Sequence, residues 1–159
     1  MNQYVKQYQK SSIETASREQ ILIMLYDAAI QFLNKAKVAM ENHEIENTHN
    51  NLMGAQNIIK EFINSLDHEV APQLAENLTS LYEYFLRRLV QANIKHQIEP
   101  IDEVLKYLKS LKATWEQAII LAQKEAQQSS VKTSDYYDTD DYDDEDDDDD
   151  EDDNDEDDE

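Results

Sequence analysis

The sequence contains no cysteine, one glycine and two prolines among its 159 residues. Without cysteine there is no disulfide, no cysteine-ligated zinc and no thiol nucleophile, which is compatible with a reducing cytosol. So little glycine and proline leaves few tight turns for a sheet, and no segment sustains an alternation of apolar and polar residues. These absences predict an all-α fold.

Other features of common protein classes are missing too. No apolar run reaches the roughly 20 residues of a membrane span, and the first ten residues, MNQYVKQYQK, lack the apolar core of a signal peptide. No nucleophile–base pair or glycine-rich phosphate cradle is visible. Glu46 and His49 form a single Glu-x-x-His, but a di-iron bundle needs a second copy and further inward-facing glutamates. We therefore expect a cytoplasmic protein without enzymatic activity, cofactor, metal, nucleic-acid partner or membrane insertion.

Charge is divided very unevenly along the chain. The formal net charge is −22, from 36 acidic and 14 basic residues. Twenty of the acidic residues lie in residues 135–159, and every lysine and arginine lies at or before Lys132, so the preceding body carries about two net negative charges. An acidic run of this kind cannot bury enough apolar area to fold, and we expect disorder. A contact with basic residues of a partner, or with Lys106, Lys109 and Lys112 of this chain, is the alternative to a merely solubilising role.

Local signals place four helices. Ser17 and Gln20 fit a capping box, which starts helix 1 at Arg18. Helix 2 follows a short polar connection, residues 67–71 form the next connection, and Pro72 and Pro100 suit the first turns of helices 3 and 4. Leu74 begins the apolar core stripe of helix 3. Helix 4 carries a heptad seam for packing against its neighbours: Ile101, Val104, Leu108, Leu111, Trp115, Ala118 and Ala122. Four long helices with short connections predict an antiparallel up-down-up-down four-helix bundle. The predicted domains are an N-terminal arm at 1–16, the bundle at 17–128 and the acidic tail at 129–159.

Three helices carry more apolar surface than one stripe needs. In helix 1, a second apolar ridge lies roughly opposite a wide face that is predicted to form the core. That face comprises Ile21, Leu22, Leu25, Ala28, Ala29, Phe32 and Leu33. Either each helix contacts two neighbours, or the surplus forms a groove for an amphipathic segment. The second ridges comprise Ile23, Tyr26 and Ile30 in helix 1, Ala55, Ile58 and Phe62 in helix 2, and Tyr82, Leu86 and Val90 in helix 3.

Polar residues stand among these ridges. Asp27 interrupts helix 1, and Arg87 and Arg88 follow an aromatic pair on helix 3, so an Asp–Arg pair between helices could frame a groove. Ordinary surface pairing, such as Glu83 with Arg87 one turn later, is the simpler interpretation. Gly54 in helix 2 permits the close approach of another helix or is a tolerated small loss of stability.

An ordered series of short motifs resembles the flagellar secretion chaperone family, FliS, over about residues 4–123. The motifs are Thr15-Ala16-Ser17 with Glu19-Gln20, Leu25-Tyr26-Asp27-Ala28-Ala29-Ile30, Ala55-Gln56 with Ile58-Ile59, Asn77-Leu78, Leu81-Tyr82-x-Tyr84, Arg87-Arg88-Leu89, Ala92-Asn93, and Trp115 with Ala118. Arg18 stands where that family commonly has proline and Ala28 where it commonly has glycine, and both residues favour helix. The acidic tail has no counterpart in the family pattern.

The resemblance implies a cytosolic four-helix chaperone that binds the disordered C-terminal segment of flagellin, prevents premature polymerisation and assists type III export. It also implies contact with export gate components and an N-terminal arm that occupies part of the client surface; a homo-oligomer stays open. An acidic-tailed helical adaptor for a basic protein and a ferritin-like metalloenzyme are the alternatives. The ridges and the resemblance together predict a client-binding set: Val5, Tyr8, Ile23, Leu25, Tyr26, Asp27, Ile30, Ile58, Phe62, Tyr82, Tyr84, Leu86, Arg87, Arg88, Val90 and Asn93.

Overall fold

A computed structural model describes the backbone of residues 17–134 and the side chains of residues 17–128. This part of the chain forms four helices: α1 at Arg18–Glu41, α2 at Ile45–Ser65, α3 at Pro72–Lys95 and α4 at Glu99–Ser134. The predicted arm and the acidic residues from 135 onward lie outside the described residues, so those two predictions stay predictions.

The predicted start signals are confirmed. The Ser17 hydroxyl accepts from the Gln20 backbone N–H at 3.2 Å, and the Gln20 side chain accepts from the Ser17 N–H at 3.1 Å, which completes the capping box. Pro72 occupies the first turn of α3, where its missing N–H leaves no unmet hydrogen bond. His96 ends α3 with a left-handed φ of 52°, and the chain turns there into the next helix.

Contacts between consecutive helices establish the antiparallel order. Phe62 near the end of α2 stacks on Tyr26 near the start of α1, and Asn93 late in α3 bonds His49 early in α2. Arg88 of α3 pairs with Glu103 early in α4. An ion pair of 2.6 Å between Lys37 and Asp102 then connects the end of α1 to the start of α4. The predicted up-down-up-down four-helix bundle is therefore confirmed.

The rotation of α1 differs from the prediction. Its buried line runs through Tyr26, Ala29, Leu33 and Ala36, each with no exposed surface. Ala29 and Leu33 of the predicted core face are buried as expected, but Ile21 is 36% exposed, and the remaining members of that face are half-buried: Leu22, Leu25, Ala28 and Phe32. Tyr26 was assigned to the opposite ridge, and that assignment was wrong. An apolar arc this wide fits several rotations, and the tyrosine hydroxyl finds a partner inside the bundle.

The other helices also depart from the predicted apolar patterns. Ala55 and Phe62 of α2 and Tyr82 of α3 were expected on surplus ridges but belong to the buried core. On α4 the buried line comprises Ile101, Val104, Leu105 and Leu108, and Leu111 and Trp115 pack against it half-buried. Ala118 and Ala122, which continue the same heptad spacing, are exposed. The predicted seam on α4 therefore packs only as far as Trp115.

Gly54 contacts the neighbouring helix rather than open solvent. A Cβ atom added there would lie 2.8 Å from two ring carbons of Phe32 on α1, closer than carbon atoms tolerate. The missing side chain therefore makes room for Phe32 inside the bundle. The close approach that Gly54 permits is between α1 and α2.

The C-terminal part of α4 extends beyond the predicted bundle boundary. The chain divides into two compact units, Met1–Ala122 and Gln123–Glu159. In the second unit the helical backbone continues to Ser134, so the predicted start of the tail at residue 129 falls within a helix. Lysine, glutamate, alanine and glutamine dominate residues 123–128, and all four favour helix over coil.

Candidate functional site

An apolar cleft opens at the end of the bundle where α1 begins, α2 ends and α3 begins. It has a volume of about 250 Å³. All four helices and the α2–α3 connection contribute to its lining: Leu22, Phe62, Ser65, Leu66, Asp67, Val70, Ala71, Leu74, Ala75, Leu78, Tyr82 and Trp115. Since an apolar cavity of about 150 Å³ accommodates a benzene molecule, this cleft is large enough for one or two apolar side chains.

The rim of the cleft is unusually exposed for apolar residues. Val70 in the α2–α3 connection is 82% exposed, and Leu74 in the first turn of α3 is 52% exposed. Deeper in the cleft, Leu78 and Phe62 are buried. An apolar side chain entering from solvent would remove both the rim and itself from water, which favours its binding by about 25 cal/mol per Å² of apolar surface buried.

An aromatic stack lies beneath the cleft. The ring of Phe62 is 4.5 Å from the ring of Tyr26 and 5.5 Å from the ring of Tyr82, centroid to centroid. Phe85 follows, with its centroid 6.1 Å from that of Tyr82 in an edge-on arrangement. Rings at these separations attract one another beyond their area of burial, so the stack gives the cleft a rigid base.

Hydrogen bonds join the stack to α4. The hydroxyl oxygens of Tyr26 and Tyr82 are 2.6 Å apart, and the Trp115 indole Nε1–H donates to the Tyr26 hydroxyl at 3.0 Å. We call these three residues the buried tyrosine network. Burial raises the pKa of both tyrosines, most strongly at Tyr82, where the bond to Tyr26 adds to the effect. Both hydroxyls are therefore neutral over the physiological pH range.

A second cluster joins α3 to α4 on the bundle surface. The Tyr84 hydroxyl donates to Glu103 Oε1 at 2.5 Å, and Arg88 Nε donates to Glu103 Oε2 at 2.5 Å. We call this cluster of Tyr84, Arg88 and Glu103 the surface clamp. The Tyr84 hydrogen bond, aided by Arg88, lowers the pKa of Glu103, and the same bond raises the pKa of Tyr84. Arg88 also donates to Gln91 at 2.8 Å, which fixes its guanidinium.

The pair between Asp27 and an arginine of α3, which was the less simple of the two alternatives, does not form in the structure. Asp27 instead accepts an ion pair from Lys112 of α4 at 2.7 Å, and Lys112 also lies 3.4 Å from Glu116. The hydrogen bond to Asp27 raises the pKa of Lys112. Arg87 lies over the ring of Tyr84, 6.0 Å from its centroid. The pairing follows helix order, because α1 and α4 are neighbours around the bundle.

The predicted client-binding residues do not form one surface. Three of them, Tyr26, Phe62 and Tyr82, are in the core, and of these Phe62 and Tyr82 line the cleft. Val5 and Tyr8 lie outside the described residues. The remaining residues border different pairs of helices. Their positions follow from helical spacing relative to the observed contacts. On α1, the side that borders α4 carries Ile23, Asp27 and Ile30, while the α1–α2 seam is bordered by Leu25 and Ile58. On α3, the side that borders α2 carries Leu86, Val90 and Asn93, while the side toward α4 or solvent carries Tyr84, Arg87 and Arg88.

Sequence reasoning missed much of the cleft lining. Leu74 was placed in the core stripe of α3, Trp115 in the seam of α4 and Val70 in a connection, and all three line the cleft. An apolar valine in an otherwise polar connection, followed closely by a leucine in a first helical turn, was the available signal. Trp115 lines the same cleft as Val70 and Leu74 because of tertiary packing, which no local signal in the sequence indicates.

The described residues contain neither a metal-binding cluster nor a membrane-spanning helix. Between residues 17 and 128, His, Asp and Glu side chains form no group of three that could hold a metal ion. His49 accepts the Asn93 amide N–H at 2.8 Å. In the same part of the chain, none of the helices combines the length and hydropathy of a membrane span.

Comparisons with known proteins agree with the geometry. The chain is 36% identical over 122 residues to the flagellar secretion chaperone FliS of Bacillus subtilis, covering 77% of this chain and 90% of the relative. It is 30% identical over 112 residues to the protein of the same name from Escherichia coli, covering 70% and 82%. A solved structure described as a flagellar chaperone from bacteria has the same fold, with a TM-score of 0.61 at 18% identity over 74% of this chain and 95% of that one.

The family model described as flagellar protein FliS matches residues 1–132. The match therefore includes the whole bundle and ends before the acidic run that starts at Asp135. With this match and the relatives above, the chain belongs to the FliS family of flagellar secretion chaperones.

Proposed function

We propose that this protein holds the C-terminal segment of flagellin in the cytoplasm, prevents its premature polymerisation and assists its delivery to the flagellar export gate. The observation that carries the proposal is the open apolar cleft beside Trp115 in a member of a secretion chaperone family. A client kept unfolded for export exposes apolar residues, and a chaperone needs a surface that covers them reversibly.

The cleft supports helix-in-groove binding. Its lining is mostly apolar, its rim is exposed, and its base is a rigid aromatic stack. An amphipathic client helix would place one or two apolar anchors there and leave its polar face in water. Ordering of the client during binding costs conformational entropy, so the net affinity is lower than the buried area alone suggests.

Partly exposed apolar residues outside the cleft support a client that contacts several sides of the bundle. Val90 is 44% exposed and Leu86 is half-buried on the α3 face toward α2, while Ile23 and Ile30 are half-buried on the α1 face toward α4. These pairs lie on different seams. A single straight helix cannot reach them all, whereas a segment that wraps around the bundle can.

Of the predicted polar client contacts, Arg87 has the most available charge. Arg88 is bound to Glu103 and Gln91, and Asp27 is bound to Lys112. Arg87 is exposed and rests on the Tyr84 ring. We propose that Arg87 orients an acidic group of the client, while Arg88 and Asp27 hold the bundle surface in shape.

The test is isothermal titration calorimetry of the full-length protein with a peptide from the C-terminus of flagellin of the same organism. We expect saturable binding with a negative heat-capacity change, because apolar surface is buried. Leu74→Ser should weaken binding about tenfold by removing an apolar rim residue. Ile120→Ser is the matched control, since Ile120 is 51% exposed, Leu74 is 52% exposed, and Ile120 does not line the cleft.

Deletion of residues 135–159 separates this proposal from an acidic-tailed adaptor. The chaperone proposal expects the truncated protein to keep its affinity for the flagellin peptide within about threefold. Loss of binding on truncation would support the adaptor instead. Absence of binding by the full-length protein, or equal losses in Leu74→Ser and Ile120→Ser, would overturn the proposed role of the cleft.

A further inference from the structure

The buried tyrosine network contains more hydrogen-bond donors than the bonds it makes. Trp115 contributes one N–H, and Tyr26 and Tyr82 each contribute one O–H. Two bonds join the three groups, Trp115 to Tyr26 and Tyr26 to Tyr82. Each bond uses one hydrogen, so one hydroxyl hydrogen has no acceptor within the network. This count holds whichever tyrosine donates to the other.

The position of the cleft indicates which of the two tyrosines has the hydroxyl hydrogen that is not donated within the network. Tyr26 has no exposed surface and is absent from the cleft lining, whereas Tyr82 lines the cleft and is 2% exposed. A buried donor without an acceptor is costly. The favoured arrangement has Tyr26 accepting from Trp115 and donating to Tyr82. The Tyr82 O–H then has no acceptor within the network, and Tyr82 is the one of the two tyrosines that lines the cleft.

The surroundings restrict the acceptor to a neutral one. The cleft is lined mainly by leucines and aromatic rings, where an ionised group would lose its hydration. The carboxylate of Asp67 stands in the same lining and repels anions. A neutral carbonyl oxygen avoids both costs.

We propose that the Tyr82 hydroxyl donates a hydrogen bond to one neutral amide carbonyl of the client, next to the apolar side chain that fills the cleft. The inference rests on the proposed flagellin-binding function and adds a polar requirement to it. Carbonyls inside a helix are already bonded to backbone N–H groups, so the acceptor belongs either to the last turn of a client helix or to an Asn or Gln side chain. Tyr82 thereby makes the cleft selective for an anchor beside a helix end or an amide.

The test compares Tyr82→Phe with Tyr26→Phe in the full-length protein, using calorimetry with the same flagellin peptide. Tyr82→Phe removes the spare donor, and we expect affinity to fall about five- to tenfold, which lies within the range for a lost neutral hydrogen bond. Tyr26→Phe breaks both network bonds but leaves the Tyr82 O–H, so affinity should stay within about twofold. Tyr107→Phe is the control, since Tyr107 on α4 is exposed and does not line the cleft, and it too should leave affinity unchanged.

The order of the two variants separates binding from stability. A purely structural role predicts that the client affinity follows the stability loss, with Tyr26→Phe at least as damaging as Tyr82→Phe. The proposal predicts the opposite order for affinity. Unchanged affinity in Tyr82→Phe, while the wild-type protein binds the peptide, would overturn the proposal and leave the proposed function standing. Absence of binding by the wild-type protein would overturn both.

A measurement on the wild-type protein does not depend on how the variants fold. Tyrosine hydroxyl protons become visible by NMR when a hydrogen bond protects them from exchange with water. We expect one protected tyrosine hydroxyl from the network in the free protein and two in the complex. One in both states would contradict the proposal. Replacing each Asn and Gln of the peptide in turn identifies the acceptor. If one replacement removes the affinity difference between the wild type and Tyr82→Phe, the acceptor is that side-chain amide. If the difference remains with every replacement, the acceptor is a backbone carbonyl.

Discussion

The buried tyrosine network and the surface clamp both connect a tyrosine of α3 to α4, but they do so in different media. The two tyrosines of the network are buried in the core, Trp115 is half-buried, and all three side chains are neutral. The clamp lies on the surface, and its central residue is the carboxylate of Glu103 with Arg88 as counter-ion. Tyr82 and Tyr84 are only two residues apart, so a helix can present a dry contact on one side and an ionic one on the other.

This difference in surroundings predicts which structural and solution conditions should affect the stability of each cluster. A neutral network in the core depends on packing and on complete hydrogen bonding, and salt hardly affects it. An ion pair near solvent gains little net free energy and is screened as salt is added. The network should therefore determine whether the bundle forms, while the clamp adjusts the position of α4 under particular solution conditions. Four changes, from the largest expected effect to the smallest, test that division.

Phe62→Ala should have the largest effect because Phe62 stacks between the two tyrosines of the network and is 2% exposed. Loss of a buried phenylalanine costs about 3–5 kcal/mol of unfolding free energy. Urea denaturation followed by circular dichroism measures the loss. The exposed Ile120→Ala should stay within about 0.5 kcal/mol as the control. A loss below about 1 kcal/mol in Phe62→Ala would show that the stack is not a packed base.

Tyr26→Phe should lower the free energy of unfolding by about 1–3 kcal/mol, because the Trp115 N–H loses its acceptor and the buried Tyr82 hydroxyl oxygen loses its donor. The loss should be the same in low salt and in 1 M NaCl. Urea titrations in the two buffers provide the comparison. A loss that shrinks markedly with salt would break the distinction between the two clusters.

Alkaline pH should affect the network through the raised pKa of its tyrosines. Burial favours their neutral form in the folded protein, so their contribution is complete below the ordinary tyrosine pKa of 10.0 and is lost as pH rises above it. Unfolding free energy should therefore fall above about pH 10. Replacing Tyr82 by Phe should make that fall shallower in urea titrations at successive pH values. An unchanged slope would contradict the assignment.

Glu103→Gln should have the smallest effect, below about 1 kcal/mol, because it removes an ion pair at the surface. The pKa of Glu103 is lowered in the folded protein, so its contribution is present above the ordinary value of 4.5 and is lost as pH falls through the folded value. The variant should differ from the wild type at pH 7 in low salt and converge with it at low pH or in 1 M NaCl. Persistence of the difference under both conditions would show that the clamp is not ionic in origin.

The sequence predicted the helices better than their rotation. Chain-local signals start the helices: the Ser17–Gln20 capping box and Pro72 act within a few residues, and the structure confirms both. Rotation depends on neighbours distant in the chain. In α1 the apolar arc covers most of the circumference, so its pattern fits several orientations. The burial of Tyr26 depends on Phe62, Tyr82 and Trp115, and nothing near Tyr26 in sequence specifies them.

The candidate site was predicted only in part, because its lining also depends on neighbours that are distant in the chain. Phe62 and Tyr82 were selected and line the cleft, but Leu74 and Trp115 were assigned to packing stripes. A residue at the end of a stripe lies in the core or in a cleft depending on whether the neighbouring helix continues past it. The partner of Asp27 was missed because the helix order around the bundle, rather than the nearest arginine in a motif, places Lys112 beside it.

Trp115 is the single tryptophan of the chain, and it forms one wall of the cleft while its indole N–H is bonded to Tyr26. Its intrinsic fluorescence therefore comes from this one location. When an anchor in the cleft excludes water, the tryptophan emission should shift to shorter wavelength. Release of the indole N–H from the Tyr26 hydroxyl is a separate change in the surroundings of the same ring, with its own effect on the emission. The protein thus carries an internal optical reporter of cleft occupancy, with which loading and unloading of a client can be followed in real time without a label.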